Sequence, residues 1–215
     1  MGATRVQQLQ IMIPAQKSYQ ELKAKRAMLD KFMADVRSQL GAQQLERWPS
    51  FERAMHRERM LPGGDISGES VDLWAVMARM QLTPTETEAV KPAVAAYEVT
   101  LDNALVARKA KMLQLEPELT EAMRSMNYQH GADIQDKIMA ARISVRTAND
   151  EGIETIAAAL GERGPMFRKF ALEAGYPEVY RPHPVMILMQ QARALPSLTE
   201  DQTTKIDALM AEFAT

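Results

Sequence analysis

Apolar residues recur along this chain at steps of three, four and seven, the spacing of a helix with one buried stripe. Leu22, Leu29, Phe32, Met33, Val36 and Leu40 make the first stripe, opened by the capping box Ser18-Tyr19-Gln20-Glu21 and closed by Gly41. A second helical piece over 42–48 is interrupted at Pro49, resumes through Phe51, Met55 and Met60, and ends at Pro62-Gly63-Gly64. The pattern then predicts a helix over 69–81, with Leu73, Trp74, Met77 and Met80 inward.

A long helix follows from Thr83, with Val90, Val94, Tyr97, Leu101, Leu105 and Met112 inward. Pro84 stands at its first position, where a missing amide costs nothing. Pro92 is expected to bend it and Pro117 to end it. A second long stretch over 118–160 draws its core from Ile134, Ile138, Ile143, Val145, Ile153, Ile156 and Leu160, weakened at Gly131 and Gly152. A short helix over 165–174 closes at Gly175. Three prolines exclude regular helix from 176–184, and helices over 185–195 and 199–213 finish the chain.

No segment alternates with the period of a strand. The expected fold is all-α, a single domain of about seven or eight helices around two long antiparallel ones, with 1–17 as an N-terminal extension and 18–215 as the helical domain. Composition agrees: 46% hydrophobic but only 6% aromatic, with 16 Met, which suits helix-on-helix packing. The apolar run Val185 to Met189 is too short to span a bilayer. Met1-Gly2-Ala3-Thr4-Arg5 carries no visible signal peptide, although a processed start would look the same.

Charge gives no general case for nucleic acid, since the net value is -2. It is uneven, net +5 over residues 1–61 and net -7 over 62–215, and a solvated helix face explains that more simply than an anionic partner does. The absence of cysteine excludes disulfides, thiolate metal sites and cysteine nucleophiles.

Candidate chemistry is sparse. His56 sits among arginines that repel a cation, His130 lies beside Gly131, and His183 lies between two prolines; each reads as surface or loop. No nucleophile elbow, phosphate loop or Glu-x-x-His pair occurs, so no catalytic residue, cofactor or metal site is assigned. The methionines are more informative. Met77 with Met80, Met123 with Met126 and Met186 with Met189 are spaced by three, which places each pair on one helix face. Core filling comes first as an explanation, then a pliable binding surface, then copper(I). The expected partner-binding surface is Met77, Met80, Met123 and Met126, with Arg53 and Arg57 as charged neighbours.

One phrase occurs twice. Leu82-Thr83-Pro84-Thr85-Glu86 and Leu198-Thr199-Glu200-Asp201-Gln202 both begin a helical segment with leucine, a capping threonine and an acid or amide three residues on. These phrases resemble the Leu-Thr-x-x-Gln motif of the Spy/CpxP family of periplasmic helical stress proteins: Leu198, Thr199 and Gln202 match fully, and Leu82, Thr83 and Glu86 match with Glu in place of Gln. The resemblance implies an exported (periplasmic), non-enzymatic, chaperone-like or stress-adaptor protein. Such a protein would capture a protein partner or client on a Met-rich helical surface without nucleotide. The cap residues would be structural. The alternatives are a structural subunit of a larger assembly or a copper or zinc stress sensor. Homo-oligomerisation and a cytoplasmic location both stay open.

Overall fold

The computed structural model describes residues 24–181 and 183–213, all of them helical or in turns and loops, with no strand among them. The fold is all-α. By their contacts the residues form two units, 1–55 and 56–215, and the boundary falls inside a helix. The Ser18–Glu21 capping box and the N-terminal extension lie outside the described residues.

In the first unit, α1 covers 24–38 and half-buries Leu29, Met33 and Val36, while Phe32 stays exposed. Gly41 opens the next helix rather than closing this one: its amide donates to Gln44 Oε1 at 2.9 Å. Helix α2 (Ala42–Met60) runs unbroken through Pro49, which is exposed. Trp48 is the buried residue of α2 and packs on Phe51, ring centroids 5.3 Å apart.

In the second unit a 3-10 turn (Leu61–Gly63) follows α2, and a loop leads to α3 (Leu73–Met80). The helix expected over 69–81 is shorter than its pattern, because the Asp72 carboxylate accepts from the amides of Trp74 and Ala75 and starts it there. Glu69 is thereby left in the loop. α4 (Pro84–Arg124) and α5 (Tyr128–Ala159) then form a long antiparallel hairpin with extensive packing between its arms. Pro117 does not end α4. It is exposed, while Met112 and Leu115 before it and Leu119 and Ala122 after it all pack with Ile134 and Ile138 of α5. That packing outweighs the one hydrogen bond lost at the proline.

The hairpin turns instead at 125–127. The Asn127 amide reaches the Ala122 carbonyl and the Met126 amide the Met123 carbonyl, a Schellman closure with Met126 at φ +55° in the position glycine usually fills. The Asn127 side chain then caps α5 by accepting from the His130 amide at 3.2 Å. Ile143, expected in the core, is exposed; Val145, Ile153 and Ile156 hold that face. α6 (Gly164–Gly175) packs its Phe167 and Ala171 into the same core. The proline-rich segment after it holds one helical turn, α7 (Pro177–Tyr180), allowed because Pro177 occupies the first helical position. α8 (Pro184–Arg193) and α9 (Glu200–Phe213) pair with each other and bury no residue fully.

Both Leu-Thr phrases are capping boxes. Glu86 N donates to Thr83 Oγ1 at 3.3 Å and Thr83 N to Glu86 Oε2 at 2.8 Å; Gln202 N donates to Thr199 Oγ1 at 3.2 Å and Thr199 N to Gln202 Oε1 at 3.0 Å.

Candidate functional site

An open groove of about 580 Å³ runs between α3 and the first turns of α4. Its apolar wall is Trp74, Met77, Leu82, Val90 and Val94, and its rim carries Gln81, Glu88, Lys91 and Glu98. The size falls within the range of small-ligand clefts, enough for a few apolar side chains.

The wall is backed by further contacts. The Trp74 ring stacks on Tyr97 with centroids 5.2 Å apart and planes 29° apart, and the Arg57 guanidinium lies 3.7 Å from the centroid of the same indole. Tyr97 rests on Gly152, where a β-carbon would run into its ring; the glycine read as a weak point of α5 therefore makes room for an aromatic of α4. The Tyr97 hydroxyl donates to Asn149 Oδ1 at 2.7 Å, and burial, together with the charge of Asp72, pushes its pKa up. Asn149 Nδ2 in turn donates to the carbonyls of Gly68 and Glu69, at 2.7 and 3.0 Å.

Glu69 is the centre of a buried charge cluster. Arg108 of α4 and Arg142 of α5 both donate to its carboxylate, the latter at 3.1 Å to Oε2. The amides of Asp65 and Ile66 also donate to Oε2, at 2.8 and 3.2 Å. Arg108 reaches the Met60 carbonyl as well, and Arg142 pairs with Asp65. Burial raises the Glu69 pKa, but the bonds from Arg108 and the two amides and the charge of Arg108 outweigh it and hold the carboxyl below its ordinary value. The cluster sits between two apolar clusters of the hairpin and ties the 61–72 loop to both arms. Its polar atoms are matched by one another, so it is a clasp rather than a vacant site.

The pattern contained a signal for this clasp. Arg108 fills the gap in the stripe between Leu105 and Met112, and Arg142 and Asn149 continue the stripe of Ile134, Ile138 and Val145. A polar residue at a stripe position must find partners, and the loop supplies them.

The expected surface residues do not converge. Met77 lines the groove, whereas Met80 on the same short helix is buried in the core. Met123 and Met126 are 63% and 65% exposed at the far end of α4, roughly 60 Å along a helix of this length. Met126 lies beyond the helix, so that pair shares no helix face. Met186 and Met189 are half-buried on α8, and Arg53 is half-buried on α2. Glu86 does more than cap: Arg163 donates to both its oxygens, at 2.8 and 3.1 Å, and to the Met80 carbonyl at 2.6 Å. The bonds from Thr83 first, and then those from Arg163, lower the Glu86 pKa.

His56 is half-buried rather than a free surface group, with Nδ1 2.7 Å from Asp102 Oδ1. His183 caps α8, accepting from the Val185 amide at 3.3 Å. Among the described residues no group of three or more His, Asp or Glu is placed to hold a metal ion, and no helix is long and apolar enough to cross a membrane. No family model, curated protein or solved structure matches the chain. The class defined by fold and site is an all-α protein with a long helical hairpin, a buried ionic clasp and an apolar groove at one end.

Proposed function

We propose that this chain is a non-enzymatic binding protein that captures exposed apolar segments of protein partners in the groove between α3 and α4, without nucleotide. The observation that carries this reading is the groove wall: Trp74, Met77, Leu82 and Val94, all only partly buried, line an open groove backed by the Trp74–Tyr97 stack and rimmed by Glu88, Lys91 and Glu98. Met77 gives the wall a polarisable, adaptable side chain that accepts varied shapes. The charges on the rim favour amphipathic segments over wholly apolar ones. The two Leu-Thr capping boxes extend the reading to a chaperone-like or stress-adaptor role of the Spy/CpxP kind in the periplasm or another exported space.

A second reading, a subunit of a larger assembly, is favoured by α8 and α9, which bury no residue fully and expose Leu188 and Leu209, with Leu195 exposed in the loop between them. The groove is tested by fluorescence. Trp48→Phe leaves Trp74 as the one indole of the two in the chain. Titration with a Leu/Lys amphipathic peptide is expected to shift Trp74 emission to the blue and to saturate. Val94→Glu, on the α4 side of the groove, is expected to abolish the shift. Emission that does not respond to the peptide would refute capture at this groove.

A further inference from the structure

The side of α4 turned away from its core carries a second regular stripe. At 100° per residue, Tyr97, Leu101, Leu105 and Arg108 point inward, while Val99, Val106 and Leu113 lie on the opposite side at steps of seven. These three remain 46%, 41% and 38% exposed. Ala96, Asn103 and Ala110 fall between them, all exposed, so the spacing from 96 to 113 is an unbroken alternation of three and four. This is the a/d repeat of a coiled coil, with Ala96, Asn103 and Ala110 in the a places and Val99, Val106 and Leu113 in the d places. Pro92 and Pro117 stand at the next place at each end. The stripe is about 26 Å long.

We propose that this face binds the same face of a second copy of the chain, antiparallel, about a twofold axis passing between Ala104 and Leu105. In that register every small residue meets a larger one: Ala96 packs on Leu113 of the second copy, Ala110 on Val99, and Asn103 on Val106. Small against large lets the helices approach to the near end of the ordinary range, about 8 Å. The flanking charges select the direction. Asp102 of each copy falls beside Lys109 of the other, so two complementary pairs form across the axis. A parallel pair would instead set Asp102 beside Ala107 and Lys109 beside Gln114, with no opposite charge for either. Asp102 Oδ1 is already fixed by His56 at 2.7 Å, which orients the carboxylate and leaves its second oxygen for the lysine. The interface is isologous and closes on two copies.

Mass and cross-linking test this. Sedimentation equilibrium of the full chain is expected to give twice 24.1 kDa at micromolar concentration, and Val106→Glu is expected to return it to 24.1 kDa with its helical circular dichroism intact. The chain has no cysteine of its own. Val99→Cys and Ala110→Cys together should cross-link two chains on mild oxidation, because each faces the other across the axis. Within one helix the two positions are about 16 Å apart, too far for a bond. Neither single variant should cross-link. A wild-type mass of 24.1 kDa throughout, a dimer undisturbed by Val106→Glu, or single variants that cross-link as readily as the pair would each overturn the proposal.

Discussion

Glu69 carries a negative charge where no water reaches it, and its two arginines sit on different arms of the hairpin. A buried ion cluster of this kind adds little over an apolar core of the same volume, but removing one member strands the others. Glu69→Gln is therefore expected to cost about 3 to 5 kcal/mol in chemical denaturation, since it leaves Arg108 buried without a counter-charge and Arg142 with only the exposed Asp65. The sign of the pH dependence follows from the lowered carboxyl. The ionised form is favoured by folding, so its contribution is fully present above the ordinary value of 4.5 and is lost as pH falls through the lower folded value. Wild type should lose stability more steeply than Glu69→Gln on acidification below that value. Parallel pH profiles for the two proteins would show that Glu69 is not the linked group. The three polar members on the helices were legible as stripe positions, but Glu69 was not. It lies in a loop whose partners are 39 and 73 residues away, and no local pattern encodes that distance.

Elements were legible where the local signal agrees with packing, and illegible where packing overrides it. Thr83 and Thr199 start their helices as the Leu-Thr phrases require, because a capping box is complete within four residues. Pro117 was read as a stop because it removes a hydrogen bond, yet α4 passes through it: the apolar residues on either side are gripped by α5, and the exposed backbone can be hydrated. The true turn, Ser125-Met126-Asn127, was hidden because a methionine takes the left-handed position. At the C-terminal end, α9 rests on α8 alone among the larger contacts and buries no residue fully, so its cap matters locally rather than globally. Thr199→Ala is expected to weaken α9 by about 1 kcal/mol. Hydrogen exchange should accelerate over 200–213 while protection of α4 and α5 stays unchanged. Unchanged exchange in α9 would mean that the Thr199 bond contributes nothing.

At the scale of the whole molecule, the methionines divide by position rather than acting as one surface. Met80 is core, Met77 faces the groove, and Met123 and Met126 sit at the other end of the hairpin. Sequence spacing located the pairs but not the neighbours that decide which members remain accessible, because those neighbours come from other helices. The groove wall itself was half legible: Trp74, Met77, Val90 and Val94 were read as inward-facing, and the gap between α3 and α4 leaves part of them open. If the groove captures unfolded apolar segments, only the methionine in it should matter. The direct measurement is light scattering of urea-unfolded malate dehydrogenase diluted into buffer without ATP, alone and with the purified protein. Suppression of aggregation near equal molar ratio is predicted. Met77→Ser should weaken it, and Met123→Ser should leave it unchanged, with helicity retained in both. Absence of suppression, or equal suppression by wild type and Met77→Ser, would contradict capture at this groove.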